Sequence, residues 1–183
     1  RDRIDDVTMN EGESQTIIVT AIDAEGQSIS YLGSTVPNPA LLVDNGDGTA
    51  NIIVSPGFSD AGQLVLVLVA ADVLGASSTQ TITVDINDVN QAPVLTDPGT
   101  QQVIAGEPLS FTVNTSDVDG DLVTVSATGV PTTAAFVDVN GQGIFSWVPT
   151  VADIGTTTVT ITAVDSQGLS SQLDVRINIG NDG

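Results

Sequence analysis

Thr156-Thr157-Thr158-Val159-Thr160-Ile161-Thr162-Ala163-Val164 places an apolar side chain at every second position from Val159 onward, with threonines between. Successive side chains of a strand point to opposite faces, so this stretch reads as a strand with one face in a core and one in water. Leu173-Asp174-Val175-Arg176-Ile177-Asn178-Ile179 repeats the alternation with polar and charged residues on the outer face. Between the two lies the turn signal Gln167-Gly168. Working outward from this pair, further strands are predicted near 101–104, 108–114, 121–127, 134–138 and 143–148. Earlier in the chain they fall near 14–22, 27–32, 40–44, 49–54, 63–71 and 78–86, with a short edge strand before residue 10. Glu25-Gly26, Asn45-Gly46-Asp47-Gly48, Asp119-Gly120-Asp121 and Asn140-Gly141 punctuate them. No segment shows helical apolar spacing. About seven short strands in each stretch of roughly 90 residues predicts an all-β fold of Greek-key sandwiches.

The chain repeats itself once. Gly12-Glu13 recurs as Gly106-Glu107, and Asp23 and Gly26 recur as Asp117 and Gly120, all offset by 94. Pro56, Asp60, Gly62, Ala70, Asp72, Gly75 and Ile86 recur as Pro149, Asp153, Gly155, Ala163, Asp165, Gly168 and Ile179, offset by 93. A single-residue length difference between Asp44 and Pro56 reconciles the two offsets. A period this long means two whole domains in a row, expected at 1–90 and 91–183. The boundary, Asp85-Ile86-Asn87-Asp88-Val89-Asn90-Gln91-Ala92-Pro93, is short and polar but not rich in Gly or Ser, so it does not read as a loose tether.

Composition narrows the function. The 183 residues are 40% hydrophobic but only 3% aromatic, so the core must be built from Val, Ile, Leu, Ala and Thr methyl groups. The formal net charge is −20, with three arginines and no lysine against 23 acids. Such a chain repels nucleic acid and anionic lipid and attracts cations. Nineteen of the acids are Asp, a residue of turns and loops. With no Cys and no His, disulfides, the usual zinc sites, thiol nucleophiles and imidazole bases are excluded, and no enzyme activity is expected. The longest apolar run, Leu64 to Ala71, is too short to cross a membrane as a helix. No signal peptide is visible, and the chain is expected to be part of a longer extracellular or cell-surface protein.

The acids sort by loop. In a seven-strand sandwich, lettered A to G, the B–C and F–G loops share the pole where the chain comes in (the proximal pole), and the E–F loop lies at the pole where it leaves (the distal pole). Asp117, Asp119 and Asp121 fall in the second unit's B–C loop and Asp165 in its F–G loop. Asp60 falls in the first unit's E–F loop, Glu11 or Glu13 lies near the crossing of its first strand, and the linker adds Asp85, Asn87, Asp88 and Asn90. Six or more oxygen donors converging on one junction is a set for Ca²⁺, and Mg²⁺ suits such an all-protein cage poorly. Asp23, Glu25 and Asp72 repeat the proximal half of this pattern in the first unit, and Asp153 and Glu107 the distal half in the second.

Ala105-Gly106-Glu107, Asp117-Val118-Asp119-Gly120-Asp121, Phe145-Ser146-Trp147-Val148-Pro149-Thr150 and Ala163-Val164-Asp165-Ser166-Gln167-Gly168 resemble bacterial dystroglycan-type cadherin-like domains, also called putative-Ig domains. Asp85-Ile86-Asn87-Asp88 is similar to the cadherin interdomain calcium motif. The resemblance implies a cadherin-like sandwich with calcium at the domain junction. It gives Asp117 and Asp119 the Asp-x-Asp role, Asp165 the F–G aspartate role and Glu11 the early glutamate role. Val89 separates Asp88 from Asn90, and the cadherin Asp-Arg-Glu triplet is reduced to Asp60, so one or two ions are implied rather than three. The partners expected are neighbouring repeats of the same protein, and polysaccharide or like domains on other cells. Nucleic-acid binding and membrane insertion are not expected.

Overall fold

The computed structural model describes residues 4–32 and 34–181. It divides into two compact units, Arg1–Val89 and Asn90–Gly183. The described residues of unit 1 form β1 (Val7–Asn10), β2 (Gln15–Thr20), β3 (Ile29–Ser30), β4 (Ala40–Asp44), β5 (Thr49–Val54), β6 (Gly62–Asp72) and β7 (Ser77–Asn87). One sheet runs β1-β7-β6-β3 and the other β2-β5-β4. β1 pairs with β7 in parallel, and the remaining pairs are antiparallel. In sandwich lettering β2 to β7 are B to G.

Unit 2 repeats the plan. Its strands are β8 (Val94–Leu95), β9 (Gln101–Ile104), β10 (Leu109–Val113), β11 (Thr115–Ser116), β12 (Thr124–Thr128), β13 (Ala135–Val139), β14 (Gln142–Trp147), β15 (Gly155–Val164) and β16 (Ser170–Gly180), with a 3-10 turn at Val151–Asp153. The sheets are β12-β15-β16-β9 and β10-β14-β13, with the small ladder β8-β11 beside them. That ladder pairs Leu95 with Thr115 and Val94 with Ser116. Two-residue strands carry no period, so alternation in the sequence does not announce them. The strand predicted near 121–127 starts later, at Thr124, because Asp121 belongs to the B–C loop.

The alternation becomes burial directly. Val159, Ile161 and Ala163 on β15 are fully buried, as are Val84 and Ile82 on β7 and Ala50, Ile52 and Val54 on β5. Each unit has its own core cluster. Unit 1 is filled by aliphatic residues around Tyr31, whereas unit 2 stacks Phe111 on Phe145 at 4.7 Å and sets Phe145 edge-on to Trp147.

One aspartate in each unit ties its two sheets together. Asp44, at the end of β4, accepts the Tyr31 N–H on Oδ2 at 2.9 Å and the Gly46 N–H on Oδ1 at 2.9 Å. Asp138 on β13 accepts the Val125 N–H at 3.0 Å and the Gly141 N–H at 2.9 Å. Tyr31 and Val125 lie on the C-strand side of the opposite sheet, so one carboxylate bridges the sheets while holding the D–E turn. A hydrogen bond to a charged group contributes more than a neutral one. Asp138→Ala should therefore cost about 1 to 2 kcal/mol of unit 2 stability in urea unfolding, and Asp138→Asn less, since it keeps one acceptor. Equal losses for both variants would count against the clasp.

Candidate cation-binding loops

At the distal pole of unit 1, Glu11 is 3% exposed despite its charge. Its Oε1 accepts the Asp60 N–H at 2.7 Å and its Oε2 the Val89 N–H at 3.3 Å, while its own N–H donates to the Asn87 carbonyl at 3.1 Å. One carboxylate thus gathers the E–F loop and the end of β7. Asp60 turns its Oδ2 back to the Gly57 N–H at 2.8 Å. Asp88 follows β7 and is exposed. Asp85 and Asn87, expected among the ligands, stand on the outer face of the sheet, where Asp85 accepts from Gln63 and Asn87 donates to Asn10.

At the proximal pole of unit 2 the B–C loop is an Asx turn: Asp117 Oδ1 accepts the N–H groups of Asp119 at 2.9 Å and Asp121 at 3.4 Å. Asp119 Oδ2 accepts the Gln91 N–H at 2.6 Å. Asp165 is 6% exposed; its Oδ1 takes the N–H groups of Gln167, Gly168 and Leu169, and its Oδ2 takes the Asn90 amide at 2.9 Å. Ser166 and Gln167 reach across to Asp121 and so lock the F–G loop to the B–C loop. Gln91, Ser166 and Gln167 are part of this frame, although residue type alone does not single them out.

Two carboxylate oxygens in this frame, Asp117 Oδ2 and Asp119 Oδ1, are buried and have no hydrogen-bond partner. A buried charged acceptor left unpaired is destabilising. The acids of this frame, Asp117, Asp119, Asp121 and Asp165, offer carboxylate oxygens, hard ligands of the kind a calcium-sized cation takes. The residues present therefore fit such an ion.

The poles that face away from the linker differ. Ala105 stands in unit 2 where unit 1 has Glu11, and Asp153 is closed into a capping box with Thr150. In unit 1, Asp23 makes the same Asx turn as Asp117, to Glu25 and Gln27, and Asp72 the same as Asp165, to Leu74 and Ala76.

Burial raises the Asp165 carboxyl, but the bonds from Asn90, Leu169, Gly168 and Gln167 more than offset it and leave it below its ordinary value. Asp153 is also lowered, by the Thr150 backbone and then its hydroxyl, and Asp47 by the Thr49 hydroxyl and then its backbone. A folded-state value below the unfolded one contributes stability that is present above the unfolded value and lost as pH falls through the folded one. Metal-free protein should hold a constant urea midpoint from pH 7 down to about 5 and lose stability below about pH 4. A midpoint unchanged at pH 3 would contradict this.

Residues 92–180 match the family model described as "Putative Ig domain". Over 184 aligned positions the chain is 31% identical to the Serine-rich adhesin for platelets of Staphylococcus aureus strain MSSA476, an alignment covering 87% of this chain and 8% of the adhesin. The chain thus spans under a tenth of that relative. Among solved structures, Protocadherin Gamma B2 extracellular cadherin domains 1-5 match with a TM-score of 0.61 at 20% identity, over 99% of this chain and 38% of that one. Domains 3-6 of the same protein match with a TM-score of 0.62 at 18% identity, over 98% and 46%. At these identities the structures speak for the fold, which is the cadherin sandwich. Residues 92–180 thus match the family described as Putative Ig domain, and the chain as a whole has the cadherin-type sandwich fold.

Proposed function

We propose that the chain is a calcium-stiffened adhesive repeat of a larger bacterial surface or secreted protein. The cation site is made from Glu11, Asp60 and Asp88 of unit 1 and Asn90, Asp117, Asp119 and Asp165 of unit 2, flanked by Asp85 and Asn87. The observation that carries this reading is the pair of buried, partnerless oxygens on Asp117 and Asp119. Covalent geometry supports it. Glu11 is anchored on the Val89 amide and Asp119 on the Gln91 amide, and these nitrogens are two residues apart in the chain. Their separation is at most about 7 Å whatever the orientation of the units.

A bound divalent ion would supply positive charge to carboxylates that otherwise repel one another. The protein's own part is to hold the oxygens in place. The Asx turns fix Asp117 and Asp165, and the Asn90 amide orients Asp165. The adhesin relative supports a role in attachment, and the −20 charge leaves nucleic acid and anionic membranes as poor partners. No described helix is long and apolar enough to cross a membrane. Calorimetric titration of Ca²⁺ into the intact chain tests the proposal. Saturable heat at one or two ions per chain is expected, and no heat at millimolar Ca²⁺ would overturn it.

A further inference from the structure

Two turns carry Asn followed by Gly, Asn45-Gly46 after β4 and Asn140-Gly141 between β13 and β14, each in the D–E hairpin of its unit. This dipeptide is chemically labile. Gly has no side chain to shield its nitrogen, which can attack the Asn side-chain carbonyl carbon and close a five-membered ring. In both turns the aspartate that ties the sheets engages that nitrogen. The Gly46 N–H donates to Asp44 Oδ1 and the Gly141 N–H to Asp138 Oδ1, each at 2.9 Å. The same dipeptide with the same anchor thus sits in two different surroundings.

Around Asn140 the chain is tightly held. Asn140 (φ 54°) and Gly141 (φ 79°) are the central residues of a two-residue hairpin turn between the paired Val139 and Gln142. Gly141 is buried. Its carbonyl accepts the Thr115 hydroxyl at 2.6 Å, and a Cβ on it would come within 3.1 Å of both that hydroxyl and the Val123 carbonyl. Around Asn45 the chain is open. Asn45, Gly46 and Asp47 are exposed in a longer loop, and a Cβ on Gly46 would meet nothing within 4 Å. Asn45 is held by Thr49, whose carbonyl takes the Asn45 N–H at 3.0 Å and whose hydroxyl takes the Asn45 amide at 2.9 Å. Exposed hydrogen bonds are readily exchanged for bonds to water, so this turn opens locally without disturbing the core.

We infer that Asn45 is a site of spontaneous, water-driven modification in the folded chain, and that Asn140 is spared by its surroundings. The Gly46 nitrogen loses its proton and bonds to Asn45 Cγ, and the Cγ–Nδ2 bond breaks with release of ammonia. One water then opens the ring at either carbonyl, leaving aspartate or isoaspartate at position 45. Isoaspartate routes the main chain through the side chain and so lengthens it by one methylene. The change falls where unit 1 is fastened. On one side of it Asp44 Oδ2 accepts the Tyr31 N–H, and on the other the Gly48 carbonyl accepts the buried Tyr31 hydroxyl at 3.1 Å. Modification therefore loosens unit 1 with time and leaves unit 2 unchanged. Neither the chemistry nor its place involves the cation-binding loops.

Incubating the intact chain in mildly alkaline buffer with EDTA, followed by peptide mapping, tests it. Isoaspartate forms only through the ring, so it separates this route from direct hydrolysis of the amide. It should build up at position 45 at least about tenfold faster than at 140, a ratio that corresponds to about 1.4 kcal/mol of extra restraint on the slower site. In urea that unfolds both units the two rates should converge. Thr115→Val removes the hydroxyl that holds the Gly141 carbonyl, and it should speed the reaction at 140 by about fivefold while 45 keeps its rate. The aged chain should lose urea midpoint by tyrosine fluorescence and keep it by tryptophan fluorescence. Asn45→Gln, whose larger ring closes slowly, should age without that loss. Equal rates at 45 and 140 in the folded chain, aspartate without isoaspartate at 45, a Thr115→Val chain with an unchanged rate at 140, or an aged chain with the tyrosine midpoint of the fresh one would each overturn the inference.

Discussion

Millimolar Ca²⁺ should raise the melting temperature of the metal-free chain by on the order of 10 °C. The cause is linkage: an ion that binds only the folded state stabilises it by about 2.7 kcal/mol at a hundredfold excess over its dissociation constant. For a unit of about 90 residues each kcal/mol moves the midpoint by about 4 to 8 °C. Asp117→Asn with Asp119→Asn should remove most of this response while leaving the metal-free protein no less stable. Each substitution takes away an oxygen that is buried without a partner and replaces a charge with a neutral amide. The stability of the metal-free variant is the sharper readout, because a merely structural role for the two carboxylates predicts that it falls. Mg²⁺ should not substitute, since it demands octahedral geometry and keeps its waters. A melting temperature identical in EDTA and in Ca²⁺ would sink the proposed site.

The strands and the repeat were legible because both rest on spacing. Alternation at Val159, Ile161 and Ala163 reads straight through to burial, and the 94-residue offset foretells that Asp23 and Asp117 make the same turn. The acids' loops were legible too, since sandwich topology fixes which loops share a pole. Less visible was how each acid is used. Asp85 and Asn87 also bond across the strands, to Gln63 and Asn10, and a sequence does not print cross-strand partners. Asp44 and Asp138 look like turn residues, and they are, yet the second oxygen of each spans to the other sheet. Gln91 reads as linker and Gln167 as a turn residue, and neither reading assigns a contact. They became visible as frame only through the atoms they meet, Asp119 for one and Asp121 for the other.

Phe145→Ala should be the most damaging single change in unit 2, costing about 3 to 5 kcal/mol. Phe145 is fully buried, lies 4.7 Å from the Phe111 ring and 6.4 Å from Trp147, and sits in mid-strand on β14, paired on one side with Phe111 and on the other with Phe136. Truncation loses the transfer free energy of the ring and leaves a void that a central strand, held on both flanks, cannot collapse to fill. Next to it, Gly143 leaves no room for repacking, since a Cβ there would come within 2.6 Å of the Phe136 ring. The corresponding position in unit 1 is Ile52, fully buried but with no ring partners, so Ile52→Ala should cost less, about 2 to 4 kcal/mol. The two losses can be read separately in one molecule. Trp147, the single tryptophan, lies in unit 2, and Tyr31, the single tyrosine, lies in unit 1. In urea unfolding of Phe145→Ala, tryptophan fluorescence should move to a much lower midpoint while tyrosine fluorescence stays near the wild-type one; Ile52→Ala should reverse the pattern. Coincident movement of both signals would mean that the two cores unfold as one cooperative block, and a Phe145→Ala loss under about 1 kcal/mol would mean that the aromatic stack is not what holds unit 2 together.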